Sequence, residues 1–116
     1  MNSITDARRT DAQAVLMEAA QYMERFYTEN NRYDEDTGGT AVALPAQLAE
    51  SPRDSGAKFY DLAVQASSRS TYTLRATPKN GQAGDGFLEI TNTFVKAWDS
   101  DNSGSLVDAE RTWSQY

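Results

Sequence analysis

The chain has 116 residues and a mass of 12.8 kDa, with 17 acidic against 11 basic side chains and a formal net charge of -6. That balance argues against a nucleic-acid partner, because phosphate binding uses a basic surface. With no Cys and no His in the sequence, disulfides, thiolate nucleophiles, Cys-ligated zinc and imidazole bases are excluded.

Ser3 to Glu29 is predicted to form one long helix. Val15, Leu16, Ala19, Met23, Phe26 and Tyr27 recur at helical spacing and give one apolar stripe, while Arg8, Arg9, Asp11, Glu18, Gln21, Glu24 and Arg25 fill the other faces. Ser3 or Thr5 suits the N-cap, Asp6 suits the first turn, and Asn30-Asn31 is a stop signal. No apolar run approaches a membrane span, and Met1-Asn2-Ser3 opens no signal peptide.

Residues 30–57 read as a long connection. "DEDTGG" (Asp34 to Gly39) is a solvated turn, and its Asp34, Glu35 and Asp36 lack the spacing of a cation site. "ALPAQLAESPRDSG" (Ala43 to Gly56) holds a short helical turn over Ala46 to Glu50 after Pro45.

Over residues 58–98 the period changes to two. Tyr60, Leu62 and Val64 alternate with polar or small residues, as do Tyr72, Leu74 and Ala76, and Leu88 and Ile90 flank Glu89. A last strand is predicted near Val95 to Trp98. The connections "SSRS" and "PKNGQAGDG" and the weaker turn Asn92-Thr93 make antiparallel neighbours. The expected fold is α+β: a long N-terminal amphipathic helix packed against an antiparallel sheet of about four strands, in one domain.

The stretch "DSDNSGSLVDAE", Asp99 to Glu110, has the offsets of a twelve-residue EF-hand calcium loop. Asp99, Asp101 and Ser103 occupy the first, third and fifth places. Gly104 occupies the sixth, where the chain turns sharply. Ser105 offers its carbonyl at the seventh, and Glu110 ends the loop as the bidentate ligand. Leu106 stands at the apolar eighth place, Val107 leaves the ninth to a water, and Asp108 adds negative field. The alternative is an acidic surface loop, since Asp, Asn, Ser and Gly are ordinary turn residues. A divalent cation would remove the mutual repulsion of the carboxylates. Calcium suits the oxygen set better than magnesium or zinc. With Val95 to Trp98 read as strand, and no second loop, the expectation is a structural clip rather than a sensor.

"DARRTDAQAVLMEAAQYMERFYTENNRY" (Asp6 to Tyr33) resembles the first helix of type IV pilins, especially minor pilins of the PilE type. The matching residues are Arg9, Ala12, Gln13, Leu16, Ala20, Glu24, Arg25, Tyr27, Asn30 and Tyr33. Tyr60 to Gly86 is similar to the family's first two strands and following loop. The resemblance implies a pilin globular domain, a structural subunit that is not an enzyme. Its partners would be other pilin subunits in a fibre, and the inner membrane through an N-terminal apolar helix half absent here. The chain therefore reads as a truncated form, expected to be monomeric, of a bacterial protein that reaches the extracellular pilus by way of the inner membrane and periplasm. The resemblance also implies a disulfide closing the last segment, but Phe87 and Thr112 stand at its two positions. The expected function is a minor pilin whose C-terminal calcium loop replaces that disulfide. The alternatives are a pseudopilin of type II secretion, or a free extracellular calcium-binding module.

Overall fold

The computed structural model describes residues 3–54 and 56–113. Its first element, α1 (Ser3–Asn30), is a helix of 28 residues without a break. No Gly or Pro interrupts it, and Asn31 ends it in a left-handed conformation (φ 60°). Five strands follow: β1 (Glu50–Ser51), β2 (Tyr60–Ser67), β3 (Tyr72–Pro78), β4 (Leu88–Thr91) and β5 (Lys96–Trp98). They lie side by side in chain order, each antiparallel to the next.

Register puts the apolar alternation on one face. Leu62 sits opposite Ala76, Val64 opposite Leu74, Leu74 opposite Ile90, and Ala76 opposite Leu88. That face meets Ala12, Val15, Leu16, Ala19, Ala20 and Met23 of α1 in one buried cluster. Each large side chain so buried contributes about 1.5–3 kcal/mol. At the far end of the helix Tyr33 turns back onto the sheet, its ring 5.0 Å from that of Tyr72.

Three features depart from the sequence expectations. The sheet has five strands, because the connection after the 3₁₀ turn Ala46–Leu48 adds β1 to the edge of β2. The helix stripe shifts by one row, so that Ala12 and Ala20 join the core while Phe26 is half-buried and Tyr27 exposed. The physical reason is length: α1 extends past the sheet it covers. Arg9, assigned to a polar face, is 5% exposed.

Candidate metal centre

After β5 the chain enters the acidic loop, and the structure brings all five predicted ligand residues together there. Oxygens of Asp99, Asp101 and Glu110 lie within 4.8 Å of one another. The Ser103 hydroxyl joins them, 3.3 Å from Asp99 Oδ1, and donates to the Ser105 carbonyl at 2.9 Å. Gly104 holds φ at +86°, the left-handed turn expected of its place.

Two of the three carboxylates are deeply placed. Asp99 is 1% exposed and Glu110 6%, whereas Asp101 faces solvent. Asp99 Oδ1 accepts from the Ser103 N–H at 3.1 Å and Oδ2 from the Gly104 N–H at 2.8 Å. Glu110, in the 3₁₀ turn Asp108–Glu110, reaches back across the loop. Its Oε2 accepts from the Asp101 N–H and the Ser100 hydroxyl, both at 3.2 Å, and its Oε1 accepts from the Val107 N–H at 3.1 Å. Hydrogen bonding from Ser103 holds the Asp101 carboxyl below its ordinary pKa. The donor set is all oxygen, carries three negative charges and lies in a twelve-residue turn, which fits a hard cation of calcium's size. Leu106 is half-buried and Val107 exposed, so the ninth place offers no side-chain ligand.

The loop is tied to the rest of the molecule at its first residue. The Asp99 N–H donates to the Phe87 carbonyl at 2.9 Å. Asp85, just before, forms two hydrogen bonds of 2.8 Å with the buried Arg9 guanidinium. The Asp85 carbonyl accepts the Trp98 indole N–H at 2.7 Å, and Arg9 stacks on the Trp98 ring at 4.0 Å. Bonding to Asp85 raises the Arg9 pKa further above its ordinary value. Gln82 completes this clamp, donating to the Thr5 carbonyl and the Tyr60 hydroxyl at 3.0 and 3.1 Å. The sequence reading did not find the clamp. Its one signal was the place of Arg9 at the head of the pilin-like helix pattern.

At the other end, the Trp113 indole N–H is shared between the Glu89 and Ala97 carbonyls, at 3.2 and 3.1 Å. Lys96 Nζ lies 5.1 Å from the centre of that ring. Phe87, at one of the two positions where the pilin resemblance implies a Cys, packs under the Arg75 guanidinium at 3.8 Å. Arg75 in turn pairs with Glu89 at 2.7 Å. The C-terminal segment is therefore fastened by an indole at one end and buried carboxylates at the other.

Residues 1–89 match the family described as type IV minor pilin ComP, DNA uptake sequence receptor. The chain belongs to that minor pilin family. The fold agrees: the crystal structure of the non-core minor pilin PilV of Neisseria meningitidis superposes with a TM-score of 0.62 over 89% of this chain and 94% of that one, at 16% identity. No curated protein matches the chain. Minor pilins are structural subunits that associate with other pilins in an extracellular bacterial fibre, so membership favours a structural role over an enzymatic one. The family's description as a DNA receptor contradicts the exclusion of nucleic acid drawn from net charge. The physical reason is that net charge sums over the whole surface, whereas a phosphate contact needs only a few local cations. Among the described residues, no helix of this minor pilin is long and apolar enough to cross a membrane. The acidic loop lies beyond the matched residues.

Proposed function

We propose that this minor pilin binds calcium at Asp99, Asp101, Ser103, the Ser105 carbonyl and Glu110, and that the ion fastens its C-terminal segment where the pilin resemblance implies a disulfide. The observation that carries the reading is the convergence of the Asp99, Asp101 and Glu110 oxygens within 4.8 Å. Three carboxylates that close repel one another, and a bound cation turns that repulsion into attraction. The ion would do no chemistry. It would bind the folded loop and not the unfolded chain, adding RT ln(1 + [L]/Kd) to stability. At free calcium ten times Kd this is about 1.4 kcal/mol. Thermal melting with calcium and with chelator tests it: calcium should raise Tm, and Glu110→Ala should remove that response while leaving the helix signal intact. Equal Tm in both conditions would return the stretch to an ordinary acidic loop. The same reading places the subunit in the fibre by way of the inner membrane, through an upstream apolar helix half.

The family description supports a second reading, that this chain takes part in DNA uptake as a receptor for duplex DNA. With a net charge of -6, such binding would rest on a few exposed cations and fall steeply with salt. Fluorescence anisotropy of a labelled duplex at low and high salt tests it. Binding at low salt that weakens as salt rises supports a receptor, and no binding at low salt removes DNA from this chain's partners.

A further inference from the structure

We infer that two copies of this chain associate head to tail, the β4–β5 turn of one copy seating in a groove beside α1 of the other. This goes beyond the calcium reading and does not depend on it.

The turn is built as a knob. Phe94 is 51% exposed and Val95 41%, at the tip of the hairpin between β4 and β5. Phe94 holds a left-handed backbone, φ 60°, fixed by its N–H to the Thr91 carbonyl at 2.8 Å. A bulky residue in that conformation is strained, and such strain concentrates at binding and switch regions. Lys96 follows, exposed, and Arg69 projects from the neighbouring β2–β3 turn at the same end of the sheet. Among the described residues neither cation is in an ion pair. Between Ile90 and Trp98 there is no acidic residue, so this end is apolar and basic on an acidic molecule.

The groove lies at the opposite end. It holds about 400 Å³ between α1 and the segment after β1, with Ala14, Val15 and Pro52 among its lining residues. Asp11 and Asp54 line it too, and among the described residues neither carboxylate is in an ion pair. Arg53, also in the lining, is neutralised by Glu18. The groove thus offers apolar walls with two uncompensated carboxylates, complementary to an aromatic knob with two uncompensated cations. Along α1, residue 11 and the C-terminal end are roughly 30 Å apart at 1.5 Å per residue. Knob and groove therefore cannot meet within one molecule. A contact between two different patches at opposite ends is heterologous and propagates as an open helical array rather than closing into a dimer. That is the symmetry a fibre subunit needs. The patch is small, so the contact is weak and salt-sensitive in solution.

Nuclear magnetic resonance on mixed samples tests it. Isotope-labelled Phe94→Ala chain keeps its groove and has no knob; unlabelled natural chain supplies the knob. At low salt and millimolar concentration the amide signals of Ala14, Val15 and Asp54 should shift on mixing. Unlabelled Lys96→Glu should abolish the shift, and Asp54→Lys in the labelled chain should restore it. All these positions lie on the surface, so the variants fold. A groove that never responds to the natural chain overturns the inference, as does a response unchanged by Lys96→Glu. Shifts at the Phe94 turn on adding duplex DNA, with no groove response to a second copy, would assign the knob to nucleic acid instead.

Discussion

Gly86 and Asp99 touch backbone to backbone: a Cβ on Gly86 would lie 1.7 Å from the Asp99 carbonyl oxygen. Gly86 also needs a left-handed φ of +83°. The contact joins the loop that clamps α1 to the first residue of the acidic loop, so the two regions share one backbone crossing. No side chain larger than hydrogen fits there.

This relationship separates two glycines that look alike in sequence. Gly86→Ala meets both a strained φ and a hard clash with main chain, and should cost about 2–4 kcal/mol. Gly104→Ala meets the same kind of φ, +86°, with nothing within 4 Å of the new Cβ, and should cost about 1–2 kcal/mol. Urea unfolding of both variants decides it. A Gly104 variant less stable than the Gly86 variant would mean that the crossing is wrongly placed.

The Arg9–Asp85 clamp makes a second test. Removing one partner of a buried, bidentate pair leaves the other charge uncompensated and costs about 3–5 kcal/mol. Arg9→Ala and Asp85→Ala should each be strongly destabilising, and the double variant much less than their sum. Additive losses would show that the pair is not coupled. The neighbouring surface pair Arg53–Glu18 should contribute less than about 1 kcal/mol in the same cycle.

Packing on α1 is graded by the sheet beneath it. Leu16, fully buried, should lose about 2–5 kcal/mol on change to Ala. Phe26, half-buried past the sheet, should lose clearly less, and Gln21→Ala should fall within about 0.5 kcal/mol of the natural chain. Equal losses at Leu16 and Gln21, read by thermal melting, would contradict the assigned face.

Alkaline pH should unfold the domain through its buried phenols. Burial pushes Tyr60 and Tyr33 up to about 12 and raises Tyr72 as well. A group with a raised folded pKa stabilises fully below its unfolded value, near 10 for Tyr, and loses that contribution as pH climbs through the folded value. Tyrosinate absorbance should therefore rise in two stages, the late stage between about pH 10 and pH 12 coinciding with loss of helix. All six tyrosines titrating together with the helix intact would oppose this.

The pattern of what the sequence revealed follows from range. The helix and four of the strands were legible because Leu16, Leu62, Leu74 and Ile90 repeat at local periods. The order of ligands from Asp99 to Glu110 was legible for the same reason, since a twelve-residue loop is local chemistry. β1 was not, because Glu50–Ser51 has two residues and no alternation, and becomes strand only by pairing with Tyr60 and Asp61. Nor was the burial of Arg9. A charge among helix polar residues reads as solvated until Asp85, 76 positions away, arrives beside it. Net charge misled for a related reason, as it carries no position at all.

The central claim is that the C-terminal loop of this minor pilin holds calcium, and calorimetric titration of calcium into the chelator-stripped chain tests it most directly. The account predicts one site per chain, with a Kd on the order of 10⁻⁴ to 10⁻³ M for an unpaired loop, a much weaker response to magnesium, and no uptake by Asp99→Ala or Glu110→Ala. No heat at millimolar calcium, or uptake unchanged in both variants, would contradict it.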